Sequence, residues 1–317
     1  MKKVGKVLLI VAGSLIGLIV LFFGSVYVVN CISEARESKK IEPYGKLMEV
    51  GEKKMNVEIT GTGSETVVLL PGFLTGSPVI DFTQLTTELA KKYQVVVIEP
   101  FGYGLSESTE KERTLEAIST EIHQVLGKLK INRYTLMGHS ISGIYTLDYI
   151  NRYPDEVTAF VGIDSSVPNQ PGGEDNQGDS LKLLGDSGLY RLLTKVTPEM
   201  IAYPEVDAHL KEQFRMISLK NMGNSSNVSE SKNMKANFEA AKRLSYPTDF
   251  PVLFILAKAS ENDTVGWISL HEEMLSGLTE GKMVVLEGEH YLHHTKSPEI
   301  AKLYEEFMTS QSTDELE

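Results

Sequence analysis

Cysteine is all but missing: Cys31 is the only one in 317 residues. A single thiol excludes an internal disulfide framework and any zinc site built on cysteines. Positive charge is also scarce, with Lys+Arg at 31 against Asp+Glu at 43 and a formal net charge of −12. No Lys/Arg cluster forms a stripe that would neutralise a phosphate backbone, so nucleic acid is not expected as a partner. Anionic lipid head groups are disfavoured for the same reason. There is no His-Glu-x-x-His, and no His-x-His on a helical segment. The glycine loop "GFLTGS" lacks a phosphate-binding lysine. Neither a metal nor another cofactor is therefore expected. Internal repeats and low-complexity tracts are missing too.

What is present begins with "VLLIVAGSLIGLIVLFFGSVYVV" at 7–29, which has no charged side chain. As a helix it would extend about 34 Å at ~1.5 Å per residue, enough for a bilayer's hydrocarbon core. Lys2, Lys3 and Lys6 precede it and favour a cytoplasmic N-terminus. A cleaved signal peptide would have a shorter apolar core and a small-x-small site, and "YVVNC" offers neither. Asn30 before Cys31 disfavours a lipoprotein. The segment reads as a retained signal anchor over 1–30, with a linker over 31–43. The rest would then sit outside the cytoplasm, tethered to the cell membrane by one span.

Beyond Pro43, "YGKLMEVGEKKMNVEITGTG" reads as a hairpin with its turn near Gly51. Three apolar, β-branched runs follow at 66–70, 93–99 and 134–137, each leading through a Gly- or Pro-containing loop into a helical pattern. Runs this apolar suit strands buried on both faces, hence a parallel sheet covered by helices. The alternation resumes at 157–163, 251–257 and 282–288. Between 164 and 250 it stops, and polar, Met-containing helical segments take over. A long excursion of this kind in a compact fold is usually a functional lid. The boundaries are a core over 44–164 and 246–317, with a helical lid over 165–245.

The chemistry centres on "YTLMGHSISGIY". A strand runs directly into Gly138-His139-Ser140-Ile141-Ser142-Gly143 and then into a helix, the setting of a nucleophile elbow with Ser140 as nucleophile. Ser142 stands where such elbows usually carry glycine, which weakens the match. "LLPGFLTG" closes the first parallel strand, and backbone N–H groups of Phe73 and Ile141 are candidate donors to a developing oxyanion. "LEGEHYLHH" places His290 just past the last strand as the candidate general base. His293 and His294 are weaker candidates, and His139 is expected to shape the elbow.

From about residue 44 to 310 the chain resembles the α/β-hydrolase fold family. The resemblance rests on the Ser140 elbow, Pro71-Gly72-Phe73, Phe101-Gly102-Tyr103-Gly104-Leu105-Ser106 and the Gly-x-His at His290. It implies a mostly parallel sheet flanked by helices and a triad in the order Ser, acid, His. The family's usual acid position falls on Ser260, which cannot orient an imidazole as a carboxylate does. Glu261 and Asp263 are close by, and Asp164, directly after the sixth strand, matches a minority pattern. The expected activity is a membrane-anchored serine esterase or lipase-like hydrolase acting on a small-molecule acyl ester. An aminopeptidase, a thioesterase or a non-catalytic sensor on the same scaffold remain as alternatives. Nothing in the sequence reports the oligomeric state.

Overall fold

A computed structural model describes residues 2–173 and 176–314. Eight strands form one sheet: β1 (Lys46–Val50), β2 (Lys53–Thr60), β3 (Thr66–Leu70), β4 (Gln94–Glu99), β5 (Tyr134–His139), β6 (Val157–Ile163), β7 (Val252–Ala257) and β8 (Gly281–Leu286). Their order is β1-β2-β4-β3-β5-β6-β7-β8. β1 and β2 pair antiparallel, as do β2 and β4, and every other neighbour is parallel.

Thirteen α-helices accompany this sheet among the described residues, with one 3-10 turn at Pro198–Met200. The first is α1 (Lys2–Glu37). The first crossover holds α2 (Pro78–Asp81) and α3 (Thr83–Leu89), followed by α4 (Leu115–Leu129) and α5 (Ser142–Arg152). Between β6 and β7 lie α6 (Gly178–Ser187), α7 (Leu189–Val196), α8 (Ala208–Asn221) and α9 (Ser225–Ala241). The remainder are α10 (Ser260–Asp263), α11 (Trp267–Leu275), α12 (Leu292–Thr295) and α13 (Ser297–Asp314).

Side chains of a strand alternate between faces, and the core divides accordingly. Val68, Leu70 and Leu136 pack with Ile118 and Ile122 of α4, Leu147 of α5 and Trp267 of α11. Val67, Leu69 and Met137 pack on the other face with Leu85 of α3 and Ile300 and Tyr304 of α13. Both faces are covered, which is why the central strands are apolar without alternation.

Two features place the site. In register, Leu70 of β3 stands opposite Gly138 of β5, Gly138 opposite Gly162 of β6, and Ile163 opposite Ile255 of β7. The carboxyl ends of four parallel strands therefore finish side by side, where open α/β sheets bind ligands. The helical excursion between β6 and β7 rises from that same end.

The N-terminal helix departs from the expected boundary. It continues through residues 31–37, read from sequence as linker, because "ISEARE" contains no Gly or Pro to stop it. Glu37 at its end pairs with Arg191 of α7 and Arg215 of α8, at 2.6 and 2.7 Å. The connection to β1 is correspondingly shorter. The helix is long and apolar enough to cross a membrane.

The elbow tolerates no side chain at Gly143. A Cβ there would come within 2.2 Å of the Ser166 carbonyl oxygen, a backbone atom with no room to retreat. Gly143→Ala should lower the unfolding free energy by about 1–3 kcal/mol. Gly127→Ala, inside α4 with nothing near its Cβ, should raise it by up to about 1 kcal/mol. Urea unfolding of the detergent-solubilised full chain would check both.

Candidate active site

β5 ends at His139, and the chain turns at Ser140 with φ of 54°. A non-glycine residue in this left-handed region is strained and persists only where the surroundings over-determine it. Here the restraint is a pair of hydrogen bonds. The Ser166 N–H donates to the Ser140 carbonyl at 2.7 Å, and the Ser140 N–H donates to the Ile163 carbonyl at 3.3 Å. The turn throws the Ser140 side chain out over the strand ends.

His290, in the loop between β8 and α12, meets Ser140 with Nε2 3.0 Å from Oγ. Its Nδ1 lies 2.6 Å from Oδ2 of Asp164. Since a carboxylate only accepts, Nδ1 carries the proton and Nε2 presents its lone pair to the serine hydroxyl. Asp164 is fully buried and has φ of 42°. Its Oδ1 accepts from the Ala257 N–H at 2.9 Å and from the Trp267 indole at 2.8 Å. Its Oδ2 also accepts from Ser260 Oγ at 2.5 Å. Burial pushes this carboxyl upward, but His290 first, then Ser260 and the Ala257 N–H, outweigh it and hold the group below the usual carboxylate range.

Of the three carboxylates considered from sequence, only Asp164 reaches His290. Glu261 turns the other way and accepts the N–H groups of Gly266 and Ile268 at the start of α11. Asp263, at the end of α10, is exposed to solvent. Neither carboxylate bonds to His290. Ser260 occupies the place where the family often carries its acid and donates to Asp164 instead. The sequence contained no signal for that hydrogen bond.

The elbow's unusual Ser142 also has a use. Its Oγ donates to the Pro71 carbonyl at 2.5 Å in a buried position, tying the elbow to the 71–76 loop. The two pieces lie so close that a Cβ at Gly72 would fall 2.7 Å from Nδ1 of His139. No hydrogen-bond acceptor is recorded for the N–H groups of Phe73 and Ile141 among the described residues.

His139, His293 and His294 stand behind the site. Nε2 of His139 donates to the His290 carbonyl at 3.1 Å. Burial, together with the nearby His293 and His290 rings, pushes the His139 pKa well down, so the ring is neutral. His293 and His294 do not face Ser140 as alternative bases would; each points Nε2 at one oxygen of buried Asp81, at 2.8 Å. Burial alone would raise the Asp81 pKa, but His293 and then His294 hold it well below the ordinary range. This clamp fixes α12, and with it the loop bearing His290, to α2.

A family model for the alpha/beta hydrolase fold matches residues 65–255. The chain belongs to that family and is a hydrolase. An uncharacterized protein of Bacillus subtilis, YbdG, is 28% identical over 321 residues, covering 97% of this chain and 99% of its own. The human serine hydrolase BPHL is 31% identical over 112 residues, 34% of this chain and 38% of that protein. Among solved structures, a membrane phospholipase A superposes with a TM-score of 0.58 at 17% identity, covering 98% of this chain and 99% of that one. That overlay takes in the N-terminal helix as well as the sheet.

Removing the Ser142 hydroxyl would leave the buried Pro71 carbonyl without its donor. Ser142→Ala should cost about 1–3 kcal/mol of stability, and Ser142→Gly, which restores the commoner elbow residue, should not recover it. Paired chemical-denaturation curves would decide.

Proposed function

We propose that this hydrolase is a serine esterase of the carboxylesterase or lipase-like type, working through an acyl-enzyme. The observation that carries the reading is the continuous hydrogen-bond chain from Asp164 through His290 to Ser140. A buried carboxylate that fixes the imidazole tautomer, and an imidazole lone pair on a strained, outward serine, are what nucleophilic acyl transfer requires. A protein that only bound its ligand would need neither.

In the proposed reaction the Ser140 hydroxyl proton passes to Nε2 of His290 as Oγ attacks the acyl carbon. The tetrahedral oxyanion is held by the N–H groups of Phe73 and Ile141. The intermediate collapses with loss of the alcohol, which takes the proton from His290. Water then enters, gives a proton to the same nitrogen and attacks the acyl carbon. The acid is released, and the proton returns to Ser140. Asp164 stays ionised throughout and stabilises the imidazolium. No cofactor or metal takes part in these steps. In this reading the α6–α9 excursion serves as a lid over the strand ends.

The N-terminal helix is proposed to be a retained membrane anchor, with the catalytic domain outside the cytoplasm. Support comes from its end being built into the domain: Arg191, buried, bonds both Asn30 and Glu37, at 2.8 and 2.6 Å, contacts that would be lost with the helix.

Asp164→Asn should lower kcat/KM for a soluble short-chain ester by about 10³–10⁴-fold, the cost of a misoriented imidazole tautomer. Glu261→Gln and Asp263→Asn should change it by less than about twofold, as neither touches the reacting groups. Running the same variants on a thioester and an aminoacyl anilide identifies the acyl class. A large loss for Glu261→Gln or Asp263→Asn, with Asp164→Asn near wild type, would overturn the assignment.

A further inference from the structure

We propose that α7 rests inside the bilayer leaflet beside α1, so that the site draws its acyl esters from the membrane. The proposal builds on the esterase reading and on the retained anchor, and names the substrate as a long-chain ester resident in the bilayer.

The depth of α7 follows from its partners on α1. Gly188, immediately before α7, packs against the Val26–Asn30 turn so closely that a Cβ would meet Asn30 Cβ at 2.4 Å. From there α1 and α7 share an open cavity of about 200 Å³, with Phe22, Val26 and Val29 on one wall and Gly188, Leu192 and Lys195 on the other. Val29 is the last residue of the continuous apolar run before Asn30, and the first charge beyond it is Glu34. Phe22 lies roughly 10 Å below it at the ~1.5 Å per residue of an α-helix. If residues 7–29 fill the hydrocarbon, α7 borders them well inside the apolar layer.

The side chains of α7 suit that place. Val196 is 76% exposed and Leu193 38%, while Met200 just beyond is 43% exposed. In water these would form an apolar tip without a partner; in a leaflet they continue the apolar surface of α1. The charges are accommodated as well. Arg191 turns back toward Asn30 and Glu37 at the aqueous end. Lys195 lines the cavity, and its apolar stem lets the ammonium reach up toward the interface.

The same helix reaches the chemistry. Tyr190 is buried with Ile80 of α2 and with Phe214 and Ile217 of α8. It lies near enough to Tyr291, the neighbour of His290, to add to the upward push that burial and Asp81 give that phenol. Through Tyr190 and Ile80, α7 packs on α2, the helix whose Asp81 holds His293 and His294 beside the His290 loop. The protein's acidic surface favours a zwitterionic leaflet over an anionic one.

The test uses the full chain in phosphatidylcholine vesicles, with Cys31→Ser and Val196→Cys carrying an NBD fluorophore. Emission shifted to the blue and quenched by lipids brominated on their acyl chains is expected. A Glu272→Cys control on α11 should show aqueous emission and no quenching. Aqueous emission at position 196 would overturn the proposal. A second arm compares a long-chain ester embedded in the vesicles with a soluble short-chain ester. Leu193→Asp with Val196→Asp should cut vesicle hydrolysis by about tenfold or more, since charge is expelled from hydrocarbon, with the soluble ester little changed. Equal loss on both esters, or none, would also overturn it. If the unsubstituted chain cleaves neither ester, the esterase reading fails, and the fluorophore arm still decides where α7 lies.

Discussion

The arrangement depends on one buried carboxylate. Asp164 takes four donors from four stretches of chain: the end of β7, Ser260, Trp267 and His290. An ionised group so enclosed is tolerable only when every lone pair is used. The requirement runs both ways, because each donor is held in place by the acid it satisfies. The imidazole tautomer, the position of the β8–α12 loop and the path of the chain after β7 all follow from it. Its left-handed backbone shows that the site retains local strain to keep the carboxylate aimed.

Around this acid the packing leaves little latitude. The elbow meets the 71–76 loop where Gly72 approaches the His139 and Ser140 side chains, and the segment after β6 where Gly143 approaches the Ser166 backbone; Ser142 ties elbow and loop through Pro71. Such contacts hold the elbow and the 71–76 loop in fixed relation to each other. The Asp81 clamp on His293 and His294 does for the His290 loop what Ser142 does for the elbow.

The sheet was legible because strands buried on both faces are apolar without interruption. That Ser140 and His290 come together at the strand ends could be read from the sequence because each follows a strand end across a glycine. The acid could not be chosen from spacing. Asp164, Glu261 and Asp263 all lie near strand ends, and which of them turns inward depends on contacts distant in sequence. Trp267 and Ser260 supply two of those contacts, and neither looks like a site residue when read along the chain. The role of Ser142 was hidden for the same reason, since its partner Pro71 lies far away in sequence. The extension of α1 to Glu37 was missed because a polar stretch after an apolar run reads as linker until Arg191 and Arg215 are seen against it.

These links make the serine the point at which the account stands or falls. The most direct measurement is peptide mass spectrometry of the detergent-solubilised full chain after exposure to a fluorophosphonate. The account predicts one phosphonyl adduct, on Ser140, and none in Ser140→Ala. A folded chain that takes up no label, or that carries it on another serine, would contradict it.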